Sequence, residues 1–346
     1  MDVLVIGGSV FLGRAVVAEA LAAGASVTVF NRGRSGPAPN GVTHVVADRT
    51  DPLAIAQLAG RRFDVVVDTC GYVPAEVDLS AKALSASCGH YAFVSSINAY
   101  PGWPAEPEFW TGGVHDGNPD ATRDDVPAGL SEAGPYGWLK VGCERAVERA
   151  FGADRCAILR AGAIVGPHDA AVGRLPWWID RVARGGEVLV PGSPSDPIAL
   201  IDARDLARFA LSAVPGTFDV GGPPERDSRA DLMAACRDAT GSDATFTYVT
   251  DEEWLAAQGV ESWTELPLWV PASEGPSVFA SNSAPARAAG LRWRPLEVTV
   301  VDTWAWQRTV PGGWRPTELT PGLAPERERD LLRDWRARRG AETNAP

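Results

Sequence analysis

The chain has 346 residues, 45% of them apolar and 22% charged, with a formal net charge of −12. That length can bury a large core in one big domain or two modest ones. The acidic balance repels phosphate backbones and anionic bilayers, so no nucleic-acid or membrane partner is expected, although a local basic cleft can still take a phosphorylated small molecule.

Met1 and Asp2 lead directly into Val3-Leu4-Val5-Ile6, a run too short, and too soon followed by glycine, to act as a signal peptide. Val3–Ile6, Ser26–Phe30, Thr43–Val46, Val65–Asp68, Tyr91–Ser95 and Cys156–Leu159 have the β-branched, apolar character of buried parallel strands. Between them, Arg14–Ala23, Ala75–Ser87 and Tyr136–Ala150 carry helical apolar spacing. Such alternation predicts an α/β fold of Rossmann type: a doubly wound parallel sheet that takes ligands at the carboxyl ends of its strands. The expected division is a nucleotide-binding domain over 1–166 and a smaller, partly interleaved C-terminal lobe over 167–310 that binds substrate. Residues 201–222 are expected to return to the sheet, and 311–346 to form an extension with a charged helix over Ala324–Arg339.

The stretch Pro101–Pro135 is rich in Pro, Gly, Asp and Trp, long enough to be a substrate lid. Ten of the 13 tryptophans lie beyond Gly166, where they fill the core of the second lobe or line a pocket; Trp177 and Trp178 are candidates for the pocket wall. The five cysteines, Cys70, Cys88, Cys143, Cys156 and Cys236, have no CxxC spacing, which together with the absence of a targeting segment predicts a cytoplasmic protein. His44, His90, His115 and His168 show no metal-ligand spacing, so no metal is expected; His168-Asp169 is a candidate for a second proton transfer.

Directly after the first strand comes Gly7-Gly8-Ser9-Val10-Phe11-Leu12-Gly13, opening a helix. A dinucleotide pyrophosphate needs that kind of tight turn and close backbone approach at a helix N-terminus. Val10 occupies the place where such loops commonly carry a middle glycine. The second strand ends Asn31-Arg32-Gly33-Arg34, without the acid that would accept from an NAD ribose 2′-hydroxyl. Arg32 and Arg34 suit a 2′-phosphate, so NADP is expected over NAD. Asp48-Arg49 is placed beside the adenine, and Thr69-Cys70-Gly71 near the cofactor ribose.

Tyr136-Gly137-Trp138-Leu139-Lys140 sets a phenol and an ammonium on one helical face. A neighbouring cation is expected to lower the tyrosine pKa and suit it to acid/base work. The chain has two lysines, Lys82 and Lys140, among 32 Lys+Arg, so a lysine kept at this spacing points to a role that arginine does not fill. Upstream, the fifth strand ends Ser95-Ser96-Ile97-Asn98. A hydroxyl there can bond the reacting oxygen; Ser96 is the first choice and Ser95, pointing the other way, the alternate.

With these motifs, and with Arg160–Pro167 and Ile201–Ala207, the chain resembles the extended short-chain dehydrogenases, the NAD-dependent epimerase/dehydratase family, over roughly its first two-thirds. The resemblance implies hydride transfer at a nicotinamide, with Tyr136 as acid/base, Lys140 on the ribose, Ser96 on the carbonyl or alkoxide, and Ala161, Gly162 and Ile164 at the nicotinamide. It also implies a possible homodimer. Three departures stand out. Ala161 replaces the usual proline after Arg160, Ile97-Asn98 replaces the dehydratase Asp-Glu pair, and the Asn31-Arg32-Gly33 ending resembles a branch with RNA-associated relatives. The expected activity is interconversion of a secondary alcohol and a ketone on a small molecule, with a redox-neutral epimerase as alternative. A non-catalytic NADP-sensing or RNA-associated binding protein is the alternative of another class. Ser96, Asn98, His168, Trp177 and Trp178 are the candidate substrate contacts.

Overall fold

A computed structural model describes residues 1–36, 38–130 and 134–343 of the chain. Two compact units emerge, one comprising 1–164, 200–223 and 279–293, the other 165–199, 224–278 and 294–346. The return to the first unit thus takes in 279–293, a segment whose composition had placed it in the second lobe. Its apolar residues Ala286, Leu291 and Trp293 belong to the core of the first unit.

The first unit is built on a seven-stranded sheet whose neighbouring strands are all parallel, in the order Gly216–Val220, Cys156–Ala161, Cys88–Ser96, Phe63–Asp68, Asp2–Ile6, Ser26–Asn31, Thr43–Val46. All six strands expected from the sequence are present. Side-chain alternation explains why each reads as a continuous apolar run. Val3 and Val5 face a core shared with Val16, Val17, Leu206 and Phe209, whereas Leu4 and Ile6 face the opposite core with Val77, Leu84, Tyr91 and Val147. Helices Phe11–Ala22 and Ala203–Leu211 cover the first face; Pro52–Ala59, Pro74–Leu84 and Gly134–Phe151 cover the second. The order in which successive strands are added reverses between Asp2–Ile6 and Phe63–Asp68, so the ligand crevice of such a sheet opens at the carboxyl ends of these two strands.

Much of the segment after Pro101 is fastened to this unit. Phe109 is buried with Ile97 and Tyr100, and Trp103, Trp110 and Val114 pack around them. Farther on, Ala75 donates its backbone N–H to the Ala121 carbonyl, and Arg145 and Arg149 pair with Asp116 and Asp120.

The second unit contains the parallel pair Glu187–Pro191 and Thr245–Val249 and the helices Arg174–Ala183, Arg229–Thr240, Leu296–Gln307 and Pro325–Thr343. Trp177 and Trp178 are fully buried in it and meet edge to face at 4.8 Å; the Trp178 indole donates to the Pro267 carbonyl. Both are therefore core residues rather than walls of an open pocket, because the apolar face of their helix is what this small unit buries. Glu328, on the last helix, accepts from the backbone N–H of Leu189 at 3.0 Å and from buried Arg181, which in turn donates to the Glu187 carbonyl at 2.6 Å. These two side chains occupy backbone hydrogen-bonding groups along the strand Glu187–Pro191, as a neighbouring strand would.

Candidate active site

The loop after the first strand is shaped by positions where no side chain fits. Gly7 and Gly8 have φ of 113° and 86°, and a Cβ on Gly7 would lie 2.4 Å from the Thr69 hydroxyl. A Cβ on Gly13 would lie 2.5 Å from the Gly8 nitrogen, so the helix rests directly on the loop backbone. Val10, in place of the middle glycine, has extended geometry (φ −126°) that any residue accepts, and the left-handed turn falls to Phe11 at φ 36°. Backbone brought this close to the start of a 12-residue helix that has no side-chain cap is a cradle suited to a pyrophosphate. The residues present fit a dinucleotide.

Asn31 is placed differently from the expectation. Its amide nitrogen donates to the Gly7 carbonyl at 2.6 Å and to Ser9 Oγ at 2.8 Å, and its Oδ1 accepts from the Gly33 N–H and contacts His44 Nε2 at 3.0 Å. Both donors and both acceptor sites are engaged, so Asn31 braces the glycine loop instead of offering a free group to a ribose. Arg32 and Arg34 are exposed beyond it. Asp48 holds Thr50 through its backbone N–H and hydroxyl, bonds that, with the nearby charges of Arg32 and Arg34, keep its carboxyl below the ordinary value.

Arg49 lies elsewhere than its place in the sequence suggests. It does not lie in the adenine crevice but turns into the protein, where it is 8% exposed and forms a bidentate pair with fully buried Asp68 at 3.1 and 2.8 Å. Asp68 also accepts from Tyr91 Oη and the Cys70 N–H, and Arg49 reaches Ser80. A carboxylate without water requires such a set of donors. Burial alone would raise the Asp68 pKa, but Arg49 and the other donors hold it below the usual value. This pair fixes the turn Thr69-Cys70-Gly71, the segment placed near the ribose. Burial raises the Cys70 thiol to about 11, leaving it protonated and unreactive at neutral pH.

Ser96, Tyr136 and Lys140 come together at the carboxyl end of the fifth strand. Ser96 Oγ donates to Asn98 Oδ1 at 2.9 Å, and the Asn98 N–H returns a bond to Ser96 Oγ at 3.2 Å. The Ser96 hydroxyl is near enough to the Tyr136 phenol to favour its ionisation. Gly137 lets the helix approach the Asn98 backbone so closely that a Cβ would fall 1.9 Å from the Asn98 carbonyl oxygen. Strand register sets Ala161 beside Ser96, and Gly162 follows against Gly221. Ile164 packs on the apolar core beneath.

The electrostatics of the pair depart from the simple helical argument. Lys140 is 3% exposed and donates to the Gly71 carbonyl at 2.8 Å and the Val94 carbonyl at 2.7 Å. Burial lowers its pKa. Tyr136 remains 41% exposed, yet the protein around its phenol disfavours the phenolate and raises the pKa, with the Ser96 hydroxyl opposing. The phenol is therefore the resting form. The expected lowering by the ammonium is absent: Lys140, which donates to two backbone carbonyls, is not among the groups that shift Tyr136.

Ser95 points to the other side and donates to Glu144, which forms a bidentate pair with Arg160 at 3.0 and 2.7 Å. Arg160 donates to Tyr100 Oη at 2.9 Å, and Tyr100 donates to Asp219 at 2.8 Å. This closed network holds the ends of three strands and removes Ser95 from the reacting group. Glu144 was missed in the sequence although Tyr136, Lys140 and Glu144 are spaced four apart on one helical face. Asp68, an acid ending an apolar strand, was a similar unused signal. His168 belongs to the second unit, where it tilts against Trp306 at 5.5 Å.

A model of the NAD dependent epimerase/dehydratase family matches residues 3–221, and the chain belongs to that family. It is an NAD(P)-dependent enzyme of the short-chain dehydrogenase/reductase type. A dTDP-6-deoxy-L-talose 4-dehydrogenase (NAD(P)(+)) of Kitasatospora kifunensis is 26% identical over 335 residues, covering 89% of this chain and 96% of that protein. Among solved structures, a UDP-glucose 4-epimerase of Thermotoga maritima crystallised with UDP-glucose superposes with a TM-score of 0.61 at 19% identity, over 89% of this chain and 99% of the other. The Bordetella bronchiseptica enzyme WbmH in complex with NAD+ gives 0.61 at 18%, over 89% and 98%. At these identities the structural likeness is one of fold.

Among the described residues no helix is long and apolar enough to cross a membrane, and no group of three or more His, Cys, Asp or Glu is placed to hold a metal.

Proposed function

We propose that this enzyme is an NADP-linked reductase or dehydrogenase that interconverts a secondary alcohol and a ketone on a small molecule and exchanges its cofactor between turnovers. The observation that carries the reading is the cluster of Ser96, Tyr136 and Lys140 beside a glycine cradle. When bound, the dinucleotide supplies or accepts the hydride. Gly7, Gly8 and Gly13 give it backbone access, Lys140 offers its remaining N–H to the ribose, and Arg32 and Arg34 offer guanidinium groups to a 2′-phosphate. Ser96 Oγ, oriented by Asn98, bonds the reacting oxygen. In the reducing direction Tyr136 gives its phenolic proton to that oxygen as the alkoxide develops; in oxidation the phenolate takes the proton back. A raised Tyr136 pKa keeps the phenol protonated, the form that donates in the reducing direction.

Support for NADP comes from Asn31, whose hydrogen-bonding groups are all engaged within the protein. Replacing Arg32 and Arg34 together with alanine should weaken NADP by roughly 2–4 kcal/mol, taking each charged hydrogen bond at about 1.5–3 kcal/mol with partial compensation by solvent. NAD binding should hardly change. Equal affinity of the wild type for both dinucleotides in a titration would defeat the NADP assignment.

The dehydrogenase relative, and structural neighbours solved with UDP-glucose, make nucleoside-diphosphate sugars the first substrates to assay. The epimerase neighbours favour a second reading, redox-neutral inversion with retained cofactor. The two separate in one experiment: stoichiometric nucleotide surviving dialysis, with isomerisation and no net redox change, selects the epimerase.

A further inference from the structure

One side chain next to the lysine has no part in the steps above. The Lys140 ammonium donates to the carbonyls of Gly71 and Val94 and lies over two rings, Phe93 with its centroid at 4.2 Å and Tyr72 with its centroid at 5.6 Å. Phe93 is fully buried and Val94 nearly so, but Tyr72 is 48% exposed. Tyr72 is thus the exposed one of these groups, set over an ammonium that is itself buried.

The placement follows from the turn before it. Asp68, clamped by Arg49, accepts the Cys70 N–H and fixes the chain as it leaves the fourth strand. Gly71 follows with no room for a side chain, since a Cβ would lie 2.5 Å from the Phe93 ring and 2.8 Å from Val77. Its carbonyl is presented to Lys140, and the next residue sets its ring over the same ammonium. Lys140 has three N–H groups, of which two are given to carbonyls.

We propose that Tyr72 is a positioning residue for dinucleotide binding, its ring face holding the Lys140 ammonium so that the third N–H is ready for a ribose hydroxyl. The inference rests on the cofactor role of Lys140 argued above. An ammonium taken out of water is attracted to an aromatic face within about 6 Å, and that attraction depends on the ring and not on the hydroxyl. The phenol of Tyr72 lies in the field of the Lys140 ammonium beneath its ring.

The test is titration of the purified full chain with NADPH and with NADH, followed by nucleotide fluorescence, for the wild type and for Tyr72→Phe, Tyr72→Leu and Tyr72→Ala. Cofactor KM and kcat are measured in parallel, and melting temperature reports the fold. The Phe variant should bind within about twofold of the wild type, while Leu and Ala weaken binding by about tenfold, the scale of a desolvated cation–π contact. The loss should appear in cofactor KM with kcat changed less than about threefold. Leu keeps the bulk and loses the ring, so it remains informative if Ala lowers the melting point. Leu at wild-type affinity, or Phe as weak as Leu, would overturn the role of the ring face while leaving the cofactor site intact. A wild type that binds neither dinucleotide would overturn both this inference and the reading it rests on.

Discussion

Asn31 and Lys140 show how far a side chain's role depends on its partners. Asn31→Asp resembles the change that would install an NAD-type acid, yet it sets a carboxylate against the Gly7 carbonyl oxygen that now accepts an N–H at 2.6 Å. We expect weaker binding of both dinucleotides in direct titration; a variant that gains NAD affinity would mean that the amide faces the ribose after all. Lys140→Arg should keep the fold and lose roughly 10²–10⁴ in turnover, the usual scale for acid/base function, because a guanidinium does not reproduce two short bonds to carbonyls 2.7–2.8 Å away. The pH dependence adds a sign. Burial lowers the Lys140 pKa and raises that of Tyr136, so the discharge of Lys140 is moved toward neutral pH and that of the phenol away from it. The basic limb of kcat/KM for the cofactor, which reports the free enzyme, should therefore follow Lys140, and the residual activity of Lys140→Arg should persist to higher pH. An unmoved limb would assign it to another group.

At the scale of elements, two buried ion pairs join segments that the sequence leaves far apart. Arg49→Ala would leave the Asp68 carboxyl fully buried without its cation, a defect of about 3–5 kcal/mol, read as a lower denaturation midpoint together with weaker cofactor binding through the loosened turn at Cys70. Because the folded Asp68 pKa is depressed, the stability of this pair is present above the unfolded value, near 3.9, and is lost as pH falls through the folded one. The variant should accordingly show less acid-dependent loss than the wild type. Glu328→Ala should cost a similar 3–5 kcal/mol, since it strands Arg181 and the Leu189 N–H. Deleting the helix Pro325–Thr343 should uncover the strand Glu187–Pro191 and promote self-association, measurable by light scattering. A monodisperse truncation with an unchanged melting point would show that the helix is an appendage.

For the molecule as a whole, the expectation of cofactor exchange rests on how the dinucleotide is held. Val10 is 39% exposed in the cradle, and Arg32 and Arg34 stand in solvent, where charge pairs are weak and screened by salt. NADP affinity should therefore fall as ionic strength rises, and the purified enzyme should consume added NADPH with a carbonyl substrate. Tight binding independent of salt would favour retained cofactor and the epimerase. Local pattern by itself determined the six strands, the glycine cradle and the Tyr136/Lys140 pairing, because apolar runs, tight turns and helical spacing are properties of neighbours in the chain. Tertiary structure alone decided that Arg49 turns inward to Asp68, that Asn31 braces Gly7, that Lys140 faces Gly71 and Val94, and that Trp177 and Trp178 are core. The partners lie from 19 residues away, for Arg49 and Asp68, to 89, for Trp178 and Pro267, and the direction in which a buried polar group turns is set by whichever distant donor or acceptor the fold brings within about 3 Å of it.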